Sequence, residues 1–259
     1  LPKDNMPDEL FWKTPDDFEK EVNWLYTTFD RIKKAAELMS EYSIKYNILT
    51  VVNDKVASNI LEIYSYYKEN GWNYQQYIAC LDPLDEKRGE KKYALRPEQY
   101  GKFLIQLFNL WYEDWEKNEQ PYIRQFDNYI AILLGYQPES CEQRGTCGIQ
   151  NVVEADGSVF PCDFYMTDDY YIGNYNYDQT ETIDEKRREI GFVARSTNIS
   201  DECRECKYIK ICRNGCQRCR DKDDITGKYR NYFCKSYKMF FDECLDKMEY
   251  IASYIAKKH

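Results

Sequence analysis

Apolar residues recur at helical spacing from Phe18 through Val22, Leu25, Phe29, Ile32 and Ala36 to Met39, which predicts an amphipathic helix reaching Glu41. Thr14 as cap, Pro15 at the first position and Asp16 and Asp17 in the first turn supply its start. Residues 1–13 carry two prolines and no period, and read as a tail or linker. Tyr46 to Val52 (YNILTVV) is a short β-branched run, expected to be a buried strand. Helical spacing returns over Ala57–Glu69, with Ile60, Leu61, Tyr64 and Tyr67 inward and Gly71 as terminator. Tyr74–Leu81 is a second expected strand. This order, with short links, predicts a parallel α/β unit. Two strands cannot close such a sheet, so it is expected to be continued elsewhere or to be a remnant. The charged stretch Asp82–Leu95 reads as an exposed loop, and Pro97 opens a helix through Trp115 with Phe103, Leu107, Leu110 and Trp111 inward. A short strand is expected over Tyr122–Phe126, then a helix over Asp127–Leu134 stopped by Gly135.

The pattern changes at Cys141. Ile149–Glu154 and Ser158–Phe160 flank Ala155-Asp156-Gly157, a hairpin signal. A segment poor in core residues follows. Tyr237, Phe240, Phe241, Cys244, Met248, Ile251 and Ile255 then mark an amphipathic C-terminal helix. The expected boundary lies near Ser140, dividing the chain into 1–140 and 141–259. No internal repeat or low-complexity tract stands out.

Composition narrows the chemistry. With 259 residues, 43% of them hydrophobic, the chain can bury a core of its own. No apolar run approaches a membrane span, and the N-terminus does not read as a signal peptide, so no membrane partner is expected. The formal charge of −9, with both signs interspersed, points away from nucleic acid. The basic segment Lys207–Arg220 reads better as cations offsetting a thiolate-rich site. The 25 tyrosines are scattered and read as amphipathic core-edge residues. The single histidine, His259, is the last residue, which excludes Ser–His and Cys–His nucleophile systems.

Nine of the eleven cysteines fall between Cys141 and Cys234. One run reads Cys203-x2-Cys206-x5-Cys212-x3-Cys216-x2-Cys219 and ends in Cys234; a looser set is Cys141-x5-Cys147-x14-Cys162. Two-residue gaps let thiolates converge on one centre, and soft sulfur donors select zinc or iron–sulfur groups. Disulfides belong to small secreted domains, so metal in a reducing cytoplasm is the stronger expectation. Cys203, Cys206 and Cys212 need a fourth ligand, as do Cys141, Cys147 and Cys162. Cys216, Cys219 and Cys234 are the candidates. Spacing alone implies two centres with one cysteine spare, without saying which. Cys80 and Cys244 read as small core residues. Asp82 follows a strand where α/β folds place ligand contacts, although a loop-start aspartate is the commoner reading.

CRECKYIKICRNGC (203–216), with Cys141, Cys147, Cys162 and Cys234 around it, resembles the SPASM extension of radical S-adenosylmethionine enzymes. NILTVVN, IACLDPL, LFNLWYEDW, VVEADGSVFPCDFY and CRNGCQRCRD are similar to the C-terminal portion of the anaerobic sulfatase-maturating enzymes, from about Thr28 to the end. The resemblance implies an α/β fold: a partial radical-SAM-type (β/α) barrel, then a cysteine-rich SPASM domain with a β-hairpin and a C-terminal helix. It also implies two auxiliary 4Fe–4S clusters with crossed ligation. Cys141, Cys147, Cys162 and Cys216 would hold the first; Cys203, Cys206, Cys212 and Cys234 would hold the second. Cys219 would not be a ligand. Asp163 matches the family's general base, which takes a proton from a cysteine or serine of a sulfatase peptide during oxidation to formylglycine. On residue chemistry alone Asp163 reads as a turn or capping carboxylate.

Radical enzymes of this type also need a CxxxCxxC loop whose cluster leaves one iron open for S-adenosylmethionine, and no such motif is expected in this chain. The early barrel strands and the glycine-rich segment for S-adenosylmethionine are likewise not found. The chain alone is therefore expected not to cleave S-adenosylmethionine, which would enter only with an N-terminal half. Two rival expectations are a non-catalytic iron–sulfur or zinc module that docks peptides or proteins, and a two-zinc structural domain.

Overall fold

The computed structural model describes residues 15–84 and 86–258, with side chains from Thr28 onward. The expected tail, the Thr14 cap, the inward placement of Phe18, Val22 and Leu25, and His259 lie outside the described residues. Contacts divide the chain into two units between Arg124 and Gln125.

The first unit runs α1 (Pro15–Glu41), β1 (Ile48–Val52), α2 (Asp54–Ser58), α3 (Ile60–Glu69), β2 (Tyr74–Ala79), α4 (Pro97–Lys117) and β3 (Tyr122–Ile123). The strands form one parallel sheet in the order β1-β2-β3, with Ile48 opposite Gln75 and Tyr74 opposite Tyr122. The expected second helix is broken at Asn59. Asn53 caps the first half by accepting a hydrogen bond from the Val56 amide at 2.9 Å. Gly71, at φ +66°, follows the end of α3, a left-handed turn that glycine adopts without strain.

Burial corrects four expectations. Strand β1 is not buried on both faces: Thr50 and Val52 point inward, while Leu49 and Val51 are 61% and 56% exposed. A strand's side chains alternate, and only one row of this one meets described neighbours. Along α1, Ala36 is buried, but Phe29, Ile32 and Met39 are exposed. In α3 the inward residues are Ile60 and Tyr64, while Leu61 lies outside. Residues i and i+4 share a helix face, and residues i and i+1 do not. Within the 82–95 loop, Asp82, Ala94 and Leu95 are buried rather than exposed.

Helix α4 carries the core of this unit, burying Phe103, Leu104, Leu107, Phe108 and Trp111. It also buries Asp114, which accepts hydrogen bonds from Tyr64 Oη and Lys68 Nζ on α3, each at 2.7 Å. Burial pushes this carboxyl up, but the two donors outweigh it and hold it below the usual carboxylate range. Its contribution is therefore full above that range and lost as pH falls through the lowered folded-state value. Asp114→Ala strands a buried tyrosine hydroxyl and should cost on the order of 2 kcal/mol. Urea unfolding at neutral pH checks the loss, and the gap from the parent should shrink at about pH 3.

The second unit contains α5 (Arg124–Leu133), α6 (Cys141–Arg144), β4 (Val152–Val153), β5 (Ser158–Phe160), β6 (Gly173–Asn174), α7 (Thr180–Glu189), α8 (Phe192–Thr197), α9 (Asp201–Arg204), α10 (Ile209–Cys212), β7 (Arg220–Lys222), β8 (Tyr229–Asn231) and α11 (Cys234–Lys258). Helix α5 packs on α11 through Phe126 and Tyr129 against Phe240 and Phe241, with ring centroids 5.2–6.0 Å apart. That packing is why the division precedes α5, whereas the sequence pattern suggests Ser140. The expected hairpin is β4-β5, and β6 adds a third antiparallel strand. The stretch expected to be poor in core residues instead supplies Ile172, Ile183 and Phe192, all fully buried, with Ile172 and Ile183 packed on Val159. Helix α11 buries Tyr237, Phe240, Phe241, Cys244, Met248 and Ile251, matching the expected apolar face. Each such side chain removed from water contributes about 1.5–3 kcal/mol.

Candidate metal centres

Short loops and helix ends carry the thiols. Cys203 lies in α9, where Ser200 caps the helix by accepting from the Cys203 amide. Cys206 follows α9, Cys212 ends α10, and Cys234 opens α11. These four cysteines line one cavity, together with Asn214, Asn231 and Phe241. Asn214 Oδ1 accepts from Cys203 Sγ at 3.6 Å and from the Asn231 amide at 2.9 Å, tying the Cys212–Cys216 loop to β8. Arg230 donates to Cys234 Sγ at 3.7 Å. Burial pushes the Cys203 thiol up and that of Cys212 to about 12. Four thiols lining one hollow, with Glu202 the one carboxylate among the described lining residues, suit a thiophilic centre.

Cys141 opens α6, and Cys147 follows the turn after it; the Cys147 amide donates to Ser196 Oγ at 2.9 Å. Cys162 follows β5 and is buried with Tyr165 and Phe192, with Cys147 packed against the same cluster. Cys147 has Cys216 and Cys141 as electrostatic neighbours, and Cys162 has Cys216. Burial pushes Cys147 up to about 11 and Cys162 to about 12. Cys216 moves the other way, held low chiefly by a side-chain hydrogen bond with Cys219. Gly145 makes this arrangement possible. At φ +69° its absent Cβ would stand 2.1 Å from the Arg213 carbonyl, so only glycine lets the loop after α6 close on the 212–216 loop.

Cys203, Cys206, Cys212 and Cys234 thus line one cavity, while Cys147 and Cys162 have Cys216 as a neighbour. Cys212-x3-Cys216-x2-Cys219 does have CxxxCxxC spacing, which corrects the expectation that the chain holds no such motif. The fold splits it, because Cys212 and Cys216 face different groups. Cys219 is buried beside Cys216. Asp163 begins a 3-10 turn, is exposed, and accepts from Cys162 Sγ at 3.2 Å. Cys80 is not the core residue expected: it sits just beyond β2 and is only half-buried. Cys244 is fully buried on α11, as its position implies. Asp82 is buried and accepts from the Gly89 amide at 3.1 Å, a loop-ordering role. Residues that spacing could not single out include Ser196, Asn214 and Arg220, which join the cysteine loops. Their only advance signal is the basic stretch ending at Arg220.

Residues 141–207 match the SPASM iron–sulfur cluster-binding domain. A cysteine-type anaerobic sulfatase-maturating enzyme of Clostridium perfringens (strain 13 / Type A) is 40% identical over 228 residues, covering 88% of this chain and 62% of that protein. A serine-type enzyme of Bacteroides thetaiotaomicron is 25% identical over 240 residues, covering 86% of this chain and 58% of the relative. A solved structure described as native anSMEcpe with bound AdoMet and Cp18Cys peptide superposes with a TM-score of 0.82 at 41% identity, covering 88% of this chain and 63% of that one. The chain therefore spans less than two thirds of the length of these relatives. No helix among the described residues is long and apolar enough to cross a membrane. Over 88% of its length the chain is similar to a cysteine-type anaerobic sulfatase-maturating enzyme, and residues 141–207 match the SPASM iron–sulfur domain.

Proposed function

We propose that this chain is the cluster-bearing C-terminal portion of an anaerobic sulfatase-maturase-like radical S-adenosylmethionine oxidoreductase, one that converts a cysteine or serine of a sulfatase-type peptide to formylglycine. The observation that carries this reading is a division among the thiols: Cys203, Cys206, Cys212 and Cys234 line one cavity, and Cys147 and Cys162 neighbour Cys216. That division supports two 4Fe–4S clusters: one on Cys141, Cys147, Cys162 and Cys216, the other on Cys203, Cys206, Cys212 and Cys234. The chemistry such groups supply when bound is one-electron transfer. The chain's own residues do the rest. Asp163 stands exposed beside Cys162 and would accept the side-chain proton of a bound peptide. The relative solved with Cp18Cys bound makes a peptide the substrate class of choice.

The chain alone should produce no 5′-deoxyadenosine from S-adenosylmethionine under reducing, anaerobic conditions, because its CxxxCxxC spacing is split between two groups. Joined to the N-terminal part of the Clostridium perfringens relative and loaded with iron and sulfide, it should yield formylglycine in a peptide such as Cp18Cys, detected by mass spectrometry. A fully loaded chimaera that cleaves S-adenosylmethionine but leaves the peptide unchanged would contradict the assignment.

A further inference from the structure

Arg220 opens β7 and is buried, only 6% exposed. Its Nε donates to the Asn214 carbonyl at 3.0 Å, Nη1 to that of Ser196, and Nη2 to those of Gly145 at 2.8 Å and Gly215 at 2.6 Å. These acceptors come from the loops that carry the thiols. Gly145 lies between Cys141 and Cys147, Ser196 receives the Cys147 amide, and Asn214 and Gly215 lie between Cys212 and Cys216. The carbonyls satisfy the guanidinium's hydrogen bonding but leave its charge unpaired. A buried charge is costly unless an opposite charge stands near it. The neighbours that favour the charged form are Cys147 and Cys216 of one group, Cys203 of the other, and Cys219. A cation so placed has its counter-charge in thiolates on both sides.

We infer that Arg220 is a positioning and charge-compensating residue shared by both cysteine groups, which raises the reduction potentials of the two iron–sulfur clusters together. This rests on the two-cluster reading above. Four thiolates around an iron–sulfur centre leave net negative charge in a buried site, and reduction adds to it. A fixed cation therefore favours the reduced form. Arg230 is a useful contrast. It hydrogen-bonds Cys234 of one group, stands half-exposed and pairs with Glu202, so solvent and a carboxylate screen it.

The test is an EPR-monitored redox titration of the anaerobically reconstituted chain, comparing the parent with Arg220→Gln and Arg220→Lys. In R220Q both clusters should become harder to reduce, with the reduced-to-oxidised ratio at a fixed potential falling about tenfold, equivalent to about 59 mV for a one-electron couple. R220K keeps the charge and should stay near the parent potentials. Both variants should melt earlier, since neither side chain can span four carbonyls, so melting alone does not report the charge. R220Q losing its clusters while R220K keeps them at parent potentials also supports the inference. Unchanged potentials in a loaded R220Q, a shift in one cluster only, or equal cluster loss in R220K and R220Q would overturn it. A parent protein that takes up no iron would instead end the two-cluster reading, which separates the two failures.

Discussion

Asp163→Asn should slow peptide oxidation by about 10²–10⁴-fold in the chimaeric enzyme while iron content stays at the parent level. Asparagine keeps the shape of the carboxylate beside Cys162, whose Sγ lies 3.2 Å from Asp163 Oδ1. It cannot take up a substrate proton. The alternative role, a carboxylate that merely orders the turn after β5, has less structural support. The 3-10 turn over Asp163–Tyr165 shows no side-chain cap from Cys162, and the Asp163 carboxylate hydrogen-bonds the neighbouring thiol. Single-turnover formylglycine yield, with iron measured on the same sample, separates the possibilities. A parent-like rate would make the carboxylate structural. A fall in iron would make Asp163 a residue that orients Cys162.

The second large effect concerns how the cysteines are shared. Cys216→Ala and Cys234→Ala should each remove one cluster, about half of the bound iron, and leave the other intact. The lost cluster should differ between them. Cys216 belongs with Cys147 and Cys162 across the loop that Gly145 closes, whereas Cys234 completes the cavity of Cys203, Cys206 and Cys212. Cys206→Ala should therefore reproduce the Cys234→Ala spectrum, and Cys219→Ala should keep both clusters. Paired EPR spectra of the four variants check this. A Cys219→Ala protein that lost a full cluster would show that Cys219, and not Cys216 or Cys234, completes a site.

Much of the architecture was legible because it rests on periodicity. The parallel order of β1, β2 and the helices between them follows from apolar runs that switch between strand and helix spacing. The C-terminal helix was equally plain, since its apolar stripe from Tyr237 to Ile251 is continuous. Helix α7 was not legible: Thr180–Glu189 buries only Ile183 and Arg187, too few residues to mark a period. Strand β6, two residues long, offers no pattern at all. Exposure of Leu49, Val51, Phe29 and Ile32 was not readable either, because an apolar face says that it can be covered and not what covers it. At the site, spacing identified the nine clustered cysteines but could not partition them. The partition depends on loops that return from distant sequence positions, and on Gly145, Ser196 and Arg220, whose roles appear only when carbonyls and thiols are placed in space.

Iron and acid-labile sulfide per chain, measured after anaerobic reconstitution and desalting, test the central claim most directly. Eight thiolates held as two groups of four should bind about eight irons with matching sulfide and give a brown, visibly absorbing protein. Stoichiometric zinc with negligible iron and no visible absorption would contradict it.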